Sequence, residues 1–92
     1  MAKSKLVTYD LVGTDETSES YSKLIAAIKA YGTYGHVNKS TWVIVTDSSC
    51  ESVRDDLLQY MDKDDRIFVA SLTGGAAWQN TICSSKWLKD NL

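Results

Sequence analysis

Apolar side chains fall on both sides of the run "KLVTYDLV", Lys5 to Val12: Leu6, Thr8, Asp10 and Val12 lie on one side, and Val7, Tyr9 and Leu11 on the other. Successive side chains of a strand point to opposite faces, and Leu, Val, Thr and Tyr suit a pleated surface, so this run predicts a β-strand. Apolar residues on both faces place it centrally in its sheet. The polar stretch "GTDETSES" follows, with several possible helix caps and acidic groups suited to a helix's positive end. Then the period changes. Tyr21, Leu24, Ile25, Ile28 and Tyr31 recur at spacings of three and four, one stripe of a helix from about Ser18 to Tyr31 that Gly32 terminates.

After Gly32 the pattern returns to strand. Val37 precedes the polar tripeptide Asn38-Lys39-Ser40, and Thr41-Trp42-Val43-Ile44-Val45-Thr46 is the strongest strand signal in the chain, which together predict a hairpin. Ser48 and Glu51 have capping-box spacing for a second helix. Its inner stripe is Cys50, Val53, Leu57, Tyr60 and Met61, with Glu51, Arg54, Asp55 and Asp56 outside. "DKDD" reads as a charged turn, and Arg66 to Leu72 as a last strand.

The order β-α-β-β-α-β predicts an α+β fold of the ferredoxin-like kind, a four-stranded antiparallel sheet with two helices on one face. One domain, 1–92, is expected, with a core over about 5–72 and a C-terminal extension over 73–92. Strand three presents Trp42 and Ile44 to one side and Val43 and Val45 to the other, so the sheet face away from the helices carries an apolar patch that calls for a cover. The extension turns at Gly74-Gly75, passes Trp78 and Ile82, and ends in a short helix near Ser84–Asn91 with Trp87, Leu88 and Leu92 as apolar contacts. Its two tryptophans are anchors, for the chain's own sheet or for a second subunit.

Composition narrows the function classes. The chain is 43% hydrophobic and 24% charged, a mixture that folds rather than staying disordered. At 92 residues it has a small core, which association would supplement. The formal charge is −2 and the ten basic residues are dispersed, so generic nucleic-acid binding is expected to be weak. No apolar leader or membrane-length segment is apparent, which implies a cytoplasmic protein without membrane contact. Cys50 and Cys83 are isolated, as expected of free thiols acting as small hydrophobes rather than zinc ligands.

"LVTYDL", a helix ending in "AYG", and "HVNKSTWVIV" together resemble the CRISPR-associated Cas-two-type family and its SinR-like and VapD-like relatives, over about residues 5 to 72. In that family a strand ends in an aspartate, and a later hairpin carries V-[QN]-x-S ahead of aromatic and aliphatic residues. The "WLKDNL" ending is most similar to the SinR-like branch. The resemblance implies a ferredoxin-like homodimer. In nuclease members the aspartate ending strand one is associated with a divalent ion, Mg²⁺ or Mn²⁺, across the dimer axis; that metal and catalytic role maps here onto Asp10. Members that handle nucleic acid have a basic stretch leading to helix one, where this chain has Asp15, Glu16 and Glu19.

The candidate site residues follow. Asp10 is either a metal ligand paired with its copy or a structural carboxylate capping the following loop or helix. His36 has no partner in the sequence for acid–base work and is expected to face solvent. Gly74 and Gly75 form either a backbone anion nest for a small anion or nucleotide, or simply a turn into the tail. Tyr9, Trp42, Ile44, Trp78 and Trp87 are assigned to a dimer interface, and Tyr9, Tyr34 and Trp42 could alternatively stack on bases. The preferred reading is a small homodimeric structural or interaction protein that holds a partner without robust catalysis and needs no cofactor. A metal-dependent ribonuclease or deoxyribonuclease is the alternative, and an anion or nucleotide binder the second.

Overall fold

A computed structural model of the chain describes residues 2–12 and 18–92. The strands are β1 (Lys3–Asp10), β2 (Thr33–Asn38), β3 (Thr41–Thr46) and β4 (Arg66–Ser71), and the helices are α1 (Glu19–Lys29), α2 (Cys50–Leu58) and α3 (Ser85–Asn91). They form one antiparallel sheet in the order β2-β3-β1-β4, so β1 is central as its two-sided apolar pattern requires. The βαββαβ order with an added C-terminal helix is the α+β fold expected. Of the polar stretch expected to lead into the first helix, residues 13–17 lie outside the described residues.

Register decides which side chains meet. Val7 lies opposite Trp42 on β3 and Val69 on β4, while Tyr9 lies opposite Ile67 and Lys5 opposite Ile44. These residues share one face, and α1 and α2 cover it with Leu24, Ile28, Val53 and Leu57 to form the core. Lys5 is the buried charged residue among those described; its aliphatic stem contributes to packing at that end of the layer, and no described buried side-chain nitrogen or oxygen lacks a partner. Among the described residues no helix is long and apolar enough to cross a membrane.

The helix ends follow their local chemistry. Ser18 caps α1 by accepting from the Tyr21 N–H, and beyond the C-terminal turn Gly32 takes φ +93°, a left-handed conformation that glycine adopts without a side-chain clash. Ser49, not Ser48, caps α2, accepting from the Ser52 N–H at 3.0 Å. The expected cap was displaced by one residue because Ser48 is held in the preceding turn, where its N–H donates to Thr46 Oγ1 at 3.1 Å. Asp56, expected on the outer surface, is half-buried and accepts from the Tyr31 hydroxyl at 2.8 Å, linking α2 to the end of α1.

The extension settles on its own sheet. Leu88 is buried, Trp87 packs over Gly35 of β2, and the Ser4 hydroxyl donates to the Asn91 carbonyl. Ahead of α3, the N–H groups of Ile82 and Cys83 donate to the carbonyls of Val37 and His36 along the outer side of β2. Val43, on the face away from α1 and α2, is only 3% exposed in consequence. At this end of the sheet the cover for the apolar patch is the chain's own tail.

Candidate functional site

The tail leaves the β1–β4 end of that same face open. Here Thr8 lies opposite Phe68 and Asp10 opposite Arg66, with Leu6 opposite Ala70 further along. Thr8 also faces Thr41 of β3, their hydroxyls 3.2 Å apart. Phe68 is 59% exposed. An open depression of about 190 Å³, lined by Thr8, Tyr9, Asp10, Arg66, Ile67 and Phe68, marks the place.

Asp10 is held by a cross-strand partner. Arg66 Nη1 donates to Asp10 Oδ2 at 2.7 Å, and both side chains stay mostly in water, where such a pair is screened and weakly stabilising. The expected capping role belongs instead to Asp65, whose Oδ1 accepts from the Val12 N–H at 2.8 Å and whose Oδ2 accepts from the Asp62 N–H at 2.7 Å. One carboxylate thus fastens the chain leaving β1 to the turn entering β4. Sequence reading missed it because "DKDD" offers three aspartates in a row of four, and only the β1–β4 register shows which one reaches residue 12.

Among the described residues, the donor set that one chain gathers at Asp10 does not fit a divalent metal. Mg²⁺ prefers near-octahedral oxygen ligation, whereas Asp10 is a single carboxylate with a guanidinium on it and both oxygens of Asp65 are taken. Among the described residues no three His, Cys, Asp or Glu side chains gather where they could hold an ion.

The other candidate residues separate into different places. Tyr9, Trp42 and Ile44, assigned to a dimer interface from the sequence, lie in the chain's own core. The correction follows from strand polarity: their side chains point to the helix-covered face, and Trp42 Nε1 donates inward to the Tyr9 hydroxyl at 3.4 Å. Trp87 is half-buried on Gly35, and Trp78 donates through Nε1 to Ser85 Oγ at 3.3 Å, so both tryptophans brace the tail.

His36, expected to face solvent, is half-buried, and its polar contact lies at the exposed surface. Its ring stacks on Trp42 with centroids 4.0 Å apart and planes 8° from parallel, and Nε2 lies 3.3 Å from the Lys39 carbonyl, a contact that requires Nε2 to carry a hydrogen. Gly74 takes φ +83° and turns the chain out of β4. Among the described residues, the hollow beside Gly74 and Gly75 has Ser4, Leu72 and Leu92 in its walls and no lysine or arginine to offset an anion's charge. Cys50 and Cys83 are free thiols, each half-buried. No family model matches the chain.

Proposed function

We propose that this chain is a small homodimeric structural or interaction protein of the Cas-two-like and SinR-like kind, acting by holding a partner rather than by cleaving a substrate. The observation that carries the reading is the half-covered sheet face: the tail shields its β2–β3 end, while Phe68 stands exposed beside Thr8 and the Asp10–Arg66 pair at the β1–β4 end. A phenylalanine projecting from a strand into water, ringed by polar and charged groups, is the anatomy of a contact surface with an apolar centre and a polar rim. The family assignment rests on the sequence likeness in "LVTYDL", "AYG" and "HVNKSTWVIV".

Three features favour binding over chemistry. Asp10 is engaged by Arg66, the chain carries a net −2 with dispersed lysines, and no described carboxylate cluster accompanies Asp10. Counterion release from several Lys or Arg contacts is what usually supplies affinity for duplex nucleic acid, so generic duplex binding should be weak at physiological salt.

Sedimentation at tens of micromolar, together with an RNA and DNA cleavage assay in Mg²⁺ and Mn²⁺, tests the reading. A dimer without metal-dependent cleavage supports it. Cleavage that co-purifies with the protein and disappears in Asp10→Asn would overturn it in favour of a nuclease, and a monomer at that concentration would remove the homodimer.

A further inference from the structure

We infer that the second copy docks edge to edge on β4, so that the two four-stranded sheets join into one eight-stranded antiparallel sheet with Phe68 facing its own copy across the two-fold axis. This rests on the homodimer proposed above and names its contact strand and register.

Hydrogen-bond polarity leads to that strand. Leu72 N–H donates to the Ser4 carbonyl, and continuing the β1–β4 register one residue beyond Lys5 opposite Ser71 sets Leu72 opposite Ser4. In an antiparallel pair such bonding positions alternate, so Ala70, Phe68 and Arg66 direct their backbone groups at β1. Ile67, Val69 and Ser71 therefore direct theirs away from the sheet. No described residue hydrogen-bonds to those outward groups, whereas the opposite edge of the sheet is closed by the bonds from Ile82 and Cys83 to β2. β4 also lacks the usual protections of an edge: "RIFVAS" has no lysine, no proline and no shift of register along β1, and its single charge, Arg66, is already paired with Asp10.

The strand is complementary to itself. When two β4 strands run antiparallel with Ile67 opposite Val69 of the other copy, the outward donors and acceptors of each meet those of the other. Phe68 then falls opposite Phe68 at a non-hydrogen-bonded position, where Cα atoms approach to about 4.5 Å and side chains pack most closely. Each exposed ring gains an aromatic neighbour. Arg66 falls opposite Ala70 of the other copy, so the register sets no like charges face to face.

The test uses the full chain. In a Cys50→Ser, Cys83→Ser background, Phe68→Cys should form an intermolecular disulfide under mild oxidation at low micromolar protein, because that spacing suits the bond; Lys63→Cys, in the turn before β4, serves as the control and should not. In the wild-type dimer the Ile67 and Val69 amides should exchange with solvent about 100-fold or more slower than in Phe68→Lys, which should be monomeric at the same concentration. A wild-type dimer with fast exchange at Ile67 and Val69, or one that Phe68→Lys leaves intact, overturns the edge pairing while the homodimer stands. A monomeric wild type overturns both.

Discussion

The indole of Trp87 lies so close to the backbone of Gly35 that a Cβ placed on that glycine would meet Trp87 Cζ3 at 2.5 Å. The glycine therefore serves a close approach between tail and sheet, and no larger residue fits without moving the indole. We expect Gly35→Ala to destabilise the fold by about 1–3 kcal/mol through overpacking. Trp87→Ala should weaken the same attachment from the other side. Thermal unfolding of the two variants and their double mutant tests this: strongly non-additive losses place both residues in one contact, and independent losses would not.

Tyr31 and Asp56 give the protein an alkaline sensitivity. Burial above all, then the hydrogen bond to the Asp56 carboxylate and that group's negative charge, push the Tyr31 hydroxyl well above the ordinary 10.0. The folded state thus holds the phenolic proton more tightly than the unfolded chain does. This contribution is fully present below the unfolded value near 10 and is lost as pH climbs from there through the folded value. Denaturant midpoints should fall above pH 10, and Tyr31→Phe should flatten that fall while lowering neutral-pH stability by about 0.5–1.5 kcal/mol. An unchanged alkaline slope in Tyr31→Phe would reject the assignment.

The Asp10–Arg66 pair should matter little to stability. Both side chains are more than half exposed, so we expect Asp10→Asn to cost no more than about 1 kcal/mol, with the difference shrinking in high salt. Urea midpoints at low and high ionic strength measure it. A salt-independent loss of several kcal/mol would mean that Asp10 supports more than an exposed ion pair.

Asp65 is the carboxylate whose loss the loop should feel. Asp65→Ala removes the acceptor for both the Val12 and Asp62 N–H groups and should cost about 1–2 kcal/mol. Amide exchange should accelerate at those two positions ahead of the core. Unchanged exchange at both would show that the two bonds do not hold the turn.

Much of this fold was legible because its signals are local. Thr41–Thr46 is a strand as the β-branched run requires, the stripe expected from Tyr21 to Tyr31 is helical as far as Ile28 with α1 ending at Lys29, and Ser84 caps α3 in the short helix expected near Ser84–Asn91. What the sequence left open depends on register and on which face meets which layer. Trp42 and Val43 are equally apolar neighbours, and only the sheet's assembly sends Trp42 beneath the helices and Val43 beneath the tail. For the same reason Asp10 could be recognised as a strand-ending carboxylate without disclosing Arg66, fifty-six positions on, as its partner. Phe68 read as one more apolar strand residue until the pairing with Thr8 put it on the uncovered side.

The bonds from Ile82 and Cys83 to β2, together with Trp87 on Gly35, set a timetable for synthesis. Every strand of the sheet has been translated by residue 71, yet Val43 gains its cover only when residues 82–91 have left the ribosome. During that interval the nascent chain presents one bare apolar sheet face and two unpaired strand edges, the kind of surface that chaperones bind and that neighbouring nascent chains can wrongly pair with. A stop codon placed after residue 72 would make that interval permanent, yielding a chain with a complete βαββαβ order that collects in inclusion bodies.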